Sequence, residues 1–160
     1  IRDFSSADIV IGNKQSNLRQ IVEAKLNKNI QEIRSREIRN QSTGKLKLET
    51  ITYQTSIGQE KFLQWVTANH QICAFLRLSL PEKKSTAMIR ELHVYGQSLA
   101  IGGKGKSQHL GLGSRLLKRA IKLAAGYQQL SVISAVGTKE YYRRRGFTDD
   151  LLYQHINLLQ

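Results

Sequence analysis

Gln108-His109-Leu110-Gly111-Leu112-Gly113-Ser114 is the segment of this 160-residue chain with the clearest chemical reading. A diphosphate needs several N–H donors converging on it with no side chain in the way. The start of a helix supplies unpaired backbone N–H groups and about half a positive charge. Gly111 and Gly113 let the backbone approach an anion closely. Gln108, His109 and the following amides up to Ser114 would wrap the phosphates, and Arg115 would add positive charge. A Gln-x-x-Gly-x-Gly loop alone is a weak signal. Here it is preceded by Arg90-Glu91-Leu92-His93-Val94-Tyr95-Gly96 and followed by Tyr141-Tyr142-Arg143-Arg144-Arg145-Gly146-Phe147. Strand, anion loop and tyrosine pair, in that order and at those intervals, specify a coenzyme A pocket better than any one of them does.

These groups need elements to hold them. Leu18, Ile21, Val22, Leu26, Ile30 and Ile33 recur at three- and four-residue steps, with Ser16 or Asn17 as cap, so residues 1–41 read as a helical linker segment packed on a domain over 42–160. After Ser42-Thr43-Gly44 the spacing changes to alternation. Leu46, Leu48, Ile51 and Tyr53 suit a strand, and the runs Phe62–Val66 and Ile72–Leu80 form a hairpin across Thr67–His70. Met88–Tyr95 is a further strand, and Gly96–Ser107 is too glycine-rich for regular structure. From Leu112 the helical period returns, with Leu116, Leu117, Ala120, Ile121, Leu123 and Ala124 inward and Arg115, Lys118, Arg119 and Lys122 outward. Leu130–Val136 reads as a central strand, Thr138–Arg145 as a short helix ended by Gly146, and Leu152–Leu159 as a last extended segment. The order predicts an α/β (α+β) domain, a mixed sheet with helices packed on it.

Lys and Arg number 25 against 12 Asp and Glu, a formal net charge of +13, which points to an anionic partner. Cations gather at Arg34, Arg36 and Arg39, at Lys104 and Lys106, along the helix from Leu112, and at Arg143, Arg144 and Arg145. A single cysteine, Cys73, excludes an intrachain disulfide and any multi-cysteine metal or iron–sulfur site supplied by this chain, and no metal site is expected. No apolar run reaches the roughly 18 residues of a membrane span, and no signal peptide is evident. The expected compartment is the reducing cytoplasm, with no membrane contact. A start at Ile1 rather than methionine suggests a piece of a longer polypeptide.

The loop resembles the hallmark of the GCN5-related N-acetyltransferase superfamily. More narrowly, Arg90–Gly96, Gln108–Gly113, Val132-Ile-Ser-Ala-Val-Gly137 and Tyr141–Phe147 look like the acetyltransferase domain of the Elongator catalytic-subunit family, which modifies wobble uridine in tRNA. Asn17-Leu-Arg19 and Ile33-Arg-Ser-Arg-Glu37 are similar to the segment joining that family's radical domain to its acetyltransferase domain, so the resemblance covers nearly the whole chain. The chain departs from it at Leu110, where a polar glutamine is usual, in a shorter, more glycine-rich loop before Gln108, and in a final strand without Gly-Pro-Tyr, although Tyr153 keeps the tyrosine.

The resemblance implies a mostly antiparallel sheet splayed where the strand of Glu91 to Val94 parts from that of Leu130 to Val136. The pantetheine arm of acetyl-CoA would pair with backbone groups of Glu91, Leu92, His93 and Val94. Leu112, Gly113 and Ser114 would hold the pyrophosphate, with Gln108, His109 and Gly111 beside them. Tyr142, four residues before Gly146, matches the tyrosine aimed at the thioester sulfur, a proton donor to the departing thiolate. Glu91 and His93 are candidates to relay a proton, and only one of the two is expected to face the acetyl group. Arg34, Arg36, Arg39, Arg115, Lys118, Arg119, Lys122, Arg143 and Arg144 are the candidate tRNA contacts, as a set. The family also uses S-adenosylmethionine and a 4Fe–4S cluster in its radical domain. One cysteine cannot hold that cluster, so the expected partners are that domain, tRNA, acetyl-CoA and other Elongator subunits. The alternatives are a conventional lysine acetyltransferase using the same pocket, and a tRNA-binding module without turnover.

Overall fold

The computed structural model describes residues 18–26, 31–39, 44–95 and 111–159. The chain forms two compact units, residues 1–36 and 37–160. In the first, helix α1 (Leu18–Leu26) is followed by a turn in which the Arg36 amide donates to the carbonyls of Glu32 and Ile33.

The second unit is built on one sheet of seven strands in the order β1-β2-β3-β4-β5-β7-β6. The strands are β1 (Lys47–Thr55), β2 (Gly58–Val66), β3 (Ile72–Pro81), β4 (Thr86–Val94), β5 (Gln129–Val132), β6 (Thr148–Asp149) and β7 (Gln154–Asn157). All neighbours are antiparallel except β4 and β5. That parallel pair is joined through helix α2 (Leu112–Leu123), as a parallel connection requires. Helix α3 (Lys139–Arg143) follows β5. The expected hairpin is present, but β2 begins at Gly58 rather than Phe62. The chain turns directly from β1 into β2, with Thr55 paired to Gly58 and the Thr55 hydroxyl donating to the Gly58 carbonyl at 2.8 Å.

One face of the sheet carries the main core. Leu63, Trp65, Leu76, Leu78, Ile89 and Leu130 cluster with Leu116, Leu117 and Ala120 of α2, so the apolar stripe read from the helical period is the stripe that is buried. Tyr127 closes the far end, its hydroxyl donating to the Pro81 carbonyl at 2.7 Å.

β5 is shorter than the Leu130–Val136 expected, and the reason lies in its neighbour. Between β3 and β4 the register runs Leu78 opposite Ile89 and then Arg77 opposite Glu91, leaving Arg90 as the extra residue of a bulge. A bulge bends its strand. Pairing of β4 with β5 proceeds from Thr86–Gln129 to Ile89–Val132 and stops there. Beyond Val132 the chain loses its β4 partner and passes into a 3-10 turn (Val136–Thr138) before α3. The fully buried Gln154 holds this departure in place: its carbonyl oxygen accepts from Ser134 Oγ at 2.6 Å, and its amide donates to the Lys139 carbonyl and to Asp149 Oδ1. The two-residue β6, which the apolar pattern does not announce, belongs to the same arrangement.

Candidate active site

Past the Ile89–Val132 pair the edge of β4 that faced β5 has no strand paired to it, and this unpaired stretch is the gap between the two strands. Tyr95 N–H donates to the Cys73 carbonyl at 2.8 Å, and the register continues through Phe75–His93 and Arg77–Glu91. In an antiparallel ladder alternate residues exchange both hydrogen bonds with the partner. The backbone groups of His93 and Glu91 are therefore engaged by β3, whereas those of Leu92 and Val94 point the other way, into the gap.

At the same end stands the front of α2. Gly111 holds the left-handed conformation at φ +94°, and its carbonyl accepts from the Arg115 amide, which begins the helix and leaves the amides of Leu112, Gly113 and Ser114 free of intrahelical partners. No acidic residue occupies the first turn. A Cβ on Gly113 would lie 3.0 Å from Tyr141 Oη and 3.2 Å from Val94 Cγ2. The three sequence motifs thus meet at one point, and the missing side chain of Gly113 is what allows it. Gln108 and His109 lie outside the described residues.

Tyr142 is buried, with its ring edge-on to Tyr141 at 5.2 Å and to Phe147 at 5.5 Å. Burial pushes its phenol up to about 12, with Tyr141 adding to the rise and Arg145 opposing it. The hydroxyl of Tyr141 is buried without a hydrogen-bond partner. Arg145, not among the residues foreseen for the site, lies 3.6 Å over the Tyr141 ring and donates to Ser114 Oγ at 2.7 Å. It therefore sets a cation beside the first turn of α2. Its partner Ser114 lies 31 positions away along the chain, so spacing in the sequence gives no signal for it.

Glu91 and His93 do not take opposite faces. Two positions apart on a strand, they share one: Glu91 pairs with Arg77, His93 stacks on Phe75 at 4.9 Å, and Glu91 Oε2 is 3.7 Å from His93 Nε2. The expectation that only one could face the acetyl group is corrected accordingly.

The cations are unequal. On α2, Lys118, Arg119 and Lys122 are exposed, and Arg115 lies 4.2 Å over the Trp65 ring. Arg143 pairs with Asp149 and Glu140, and Arg144 with Glu140, so much of their charge is offset locally. Arg34 is exposed and Arg36 half-buried in the first unit, and Arg39 is exposed in the second, in a left-handed conformation. Among the described residues there is no group of three His, Cys, Asp or Glu that could hold a metal, and no helix long and apolar enough to cross a membrane.

No family model matches the chain. It is 34% identical over 169 residues to the tRNA uridine(34) acetyltransferase of Dehalococcoides mccartyi (strain CBDB1), covering 92% of this chain and 37% of that protein. It is 30% identical over 173 residues to Elongator complex protein 3 of Schizosaccharomyces pombe, covering 93% of this chain and 32% of that one. The solved structure of the archaeal Methanocaldococcus infernus Elp3 aligns at a TM-score of 0.72 and 30% identity over 98% of this chain and 43% of its own. Over more than nine-tenths of its length the chain is thus homologous to one part of these tRNA uridine(34) acetyltransferase and Elongator complex protein 3 relatives. It spans about a third of the length of the curated relatives. A Deinococcus radiodurans R1 acetyltransferase structure, at TM-score 0.51 and 16% identity over 71% of this chain and 89% of that one, speaks to the fold alone. That fold is the GCN5-related N-acetyltransferase fold, a mixed, mostly antiparallel sheet splayed between β4 and β5.

Proposed function

We propose that this chain is the acetyl-CoA-binding acyltransferase part of an enzyme that modifies uridine 34 of tRNA, and that it cleaves the thioester when tRNA is bound. One observation carries the reading: the β4–β5 ladder ends at Ile89–Val132, and the uncapped front of α2 stands at the open end. The residues suit the coenzyme. Backbone groups of Leu92 and Val94 would pair with the pantetheine amides as an added strand does. The amides of Leu112, Gly113 and Ser114 would hold the diphosphate, helped by Arg145 and by the partnerless hydroxyl of Tyr141. Bound acetyl-CoA supplies an activated acetyl group. Tyr142 keeps a proton available to a leaving sulfur, and His93 with Glu91 can accept one from water or from an amine. The exposed cations of α2 would meet tRNA phosphates. Residues 1–41 would serve as the linker to a preceding radical domain, which would bring the S-adenosylmethionine and the cluster that one cysteine cannot hold. The setting is then the cytoplasm.

The test is acetyl-CoA cleavage by the chain with and without tRNA, and with added amines. Stimulation by tRNA supports the reading. Turnover that depends on an amine would make the chain a conventional N-acetyltransferase, and tRNA binding without cleavage would make it a binding module.

A further inference from the structure

Arg143, Arg144 and Arg145 are consecutive in the chain, but the fold divides them. Arg143 pairs with Asp149 and Glu140, and Arg144 with Glu140, whereas Arg145 has no carboxylate partner among the described residues. It reaches across to α2 instead. Its Nη2 and Nε both donate to Ser114 Oγ, at 2.7 and 3.3 Å, its Nη1 donates to the Tyr141 carbonyl at 2.7 Å, and its guanidinium lies 3.6 Å over the Tyr141 ring. A planar fork held in this way is pre-organised. Its charge is fixed beside the first turn of α2, where the amides of Leu112, Gly113 and Ser114 have no intrahelical partner.

The contact also changes what Ser114 can do. A hydroxyl has two acceptor positions and one proton. With both acceptor positions turned to Arg145, Ser114 Oγ has only its proton to offer, and no described residue accepts it. The Tyr141 hydroxyl, buried without a partner and 3.0 Å from where a Cβ on Gly113 would lie, is a further donor left unused at the same turn. Unpaired amides, unused hydroxyl protons and a cation without a counter-ion together suit an anion of more than one charge. We propose that Arg145 makes the first turn of α2 specific for a diphosphate: it supplies charge directly and turns Ser114 into a donor toward the same anion. The identity of the ligand as the diphosphate of coenzyme A rests on the function proposed above; the selection of a diphosphate by Arg145 does not.

Titration calorimetry separates the contributions with three ligands: CoA, dephospho-CoA, which keeps the diphosphate but lacks the 3′-phosphate, and pantetheine, which lacks both. In Arg145→Met the Kd of CoA and of dephospho-CoA rises by about tenfold or more, the size of a lost charge-assisted pair, while that of pantetheine changes by less than about twofold. Ser114→Ala raises the first two by about threefold. The double variant binds little more weakly than Arg145→Met, because the hydroxyl acts through the guanidinium. Unchanged CoA affinity in Arg145→Met overturns the proposal. An equal loss for pantetheine does so too, by making the residue a mere staple between α3 and α2, and so does a loss confined to CoA, which would assign Arg145 to the 3′-phosphate. Should Arg145→Met fail to fold, Ser114→Ala decides by the same comparison, and unchanged CoA affinity there is equally fatal. A wild-type chain that binds inorganic pyrophosphate, loses it in Arg145→Met and yet binds no CoA would remove the coenzyme reading while the role of Arg145 stands.

Discussion

Burial holds the Tyr142 phenol near 12, so it remains protonated from neutral pH well into the alkaline range. A proton donor in that state acts through a hydrogen bond to the developing thiolate, and its loss should lower turnover while leaving binding intact. Tyr142→Phe is expected to reduce kcat for acetyl-CoA cleavage by about 10²-fold, with coenzyme affinity and tRNA affinity unchanged, as read by steady-state kinetics and by titration. Wild-type cleavage should show no alkaline decline attributable to this residue below about pH 11. Unchanged turnover in the variant removes the phenol from the reaction. Tyr142 stands out in the sequence because its spacing from Gly146 matches a motif, and the structure adds that it is buried. Arg145 and Arg77 do not stand out, since a cation's partner is defined by space: Arg77 meets Glu91 from another strand, and Arg145 meets Ser114 across 31 positions of chain.

At the level of elements, the decisive feature is the extra residue at Arg90. It shifts the alternation of β4 by one, so that the backbone groups of Leu92 and Val94 turn away from β3 along the stretch where pairing with β5 has ended. Alternation and composition locate β4, but a bulge is a mismatch between two strands and has no signature in one of them. The same applies at the β1–β2 turn. Gly58 adopts φ +146°, and a Cβ there would fall 2.5 Å from the Leu80 carbonyl oxygen and 2.8 Å from the Glu82 nitrogen. Backbone cannot yield as a flexible side chain would. Gly58→Ala is therefore expected to destabilise the fold by about 2 kcal/mol, measured by urea denaturation. A loss within experimental error would mean that β2 can slide away from the β3 end without penalty.

Among the described residues of the second unit, burial favours the protonated forms of the Cys73 thiol and of the Tyr53, Tyr127 and Tyr142 phenols, and the shift is largest at Cys73 and Tyr142. Burial raises the Cys73 thiol from its ordinary 9.0 to about 11, and the Tyr142 phenol from 10.0 to about 12. Both folded-state values lie above those of the unfolded chain. Their contribution is thus fully present below about pH 9 and is lost as pH rises through 11 and 12. Stability from chemical denaturation should decline over that window, and the decline should be shallower in a Cys73→Ala, Tyr142→Phe double variant when each protein is compared with its own value at pH 8. An equally steep decline in the double variant would place the alkaline sensitivity elsewhere. Cys73, fully buried, should also resist thiol reagents until the chain unfolds.

Local chemistry is written along the chain, and so the glycine-led start of α2, the tyrosine pair, the amphipathic face of α2, the hairpin and the excess of cations could all be read from residue types and their spacing. Those features depend on backbone conformations that neighbouring residues impose on one another. The gap, the meeting of Val94, Gly113 and Tyr141, and the contact of Arg145 with Ser114 depend instead on which element lies beside which and in what register. Hydrogen-bond pairing and packing set those relations over long stretches of chain, and only the assembled sheet decides them.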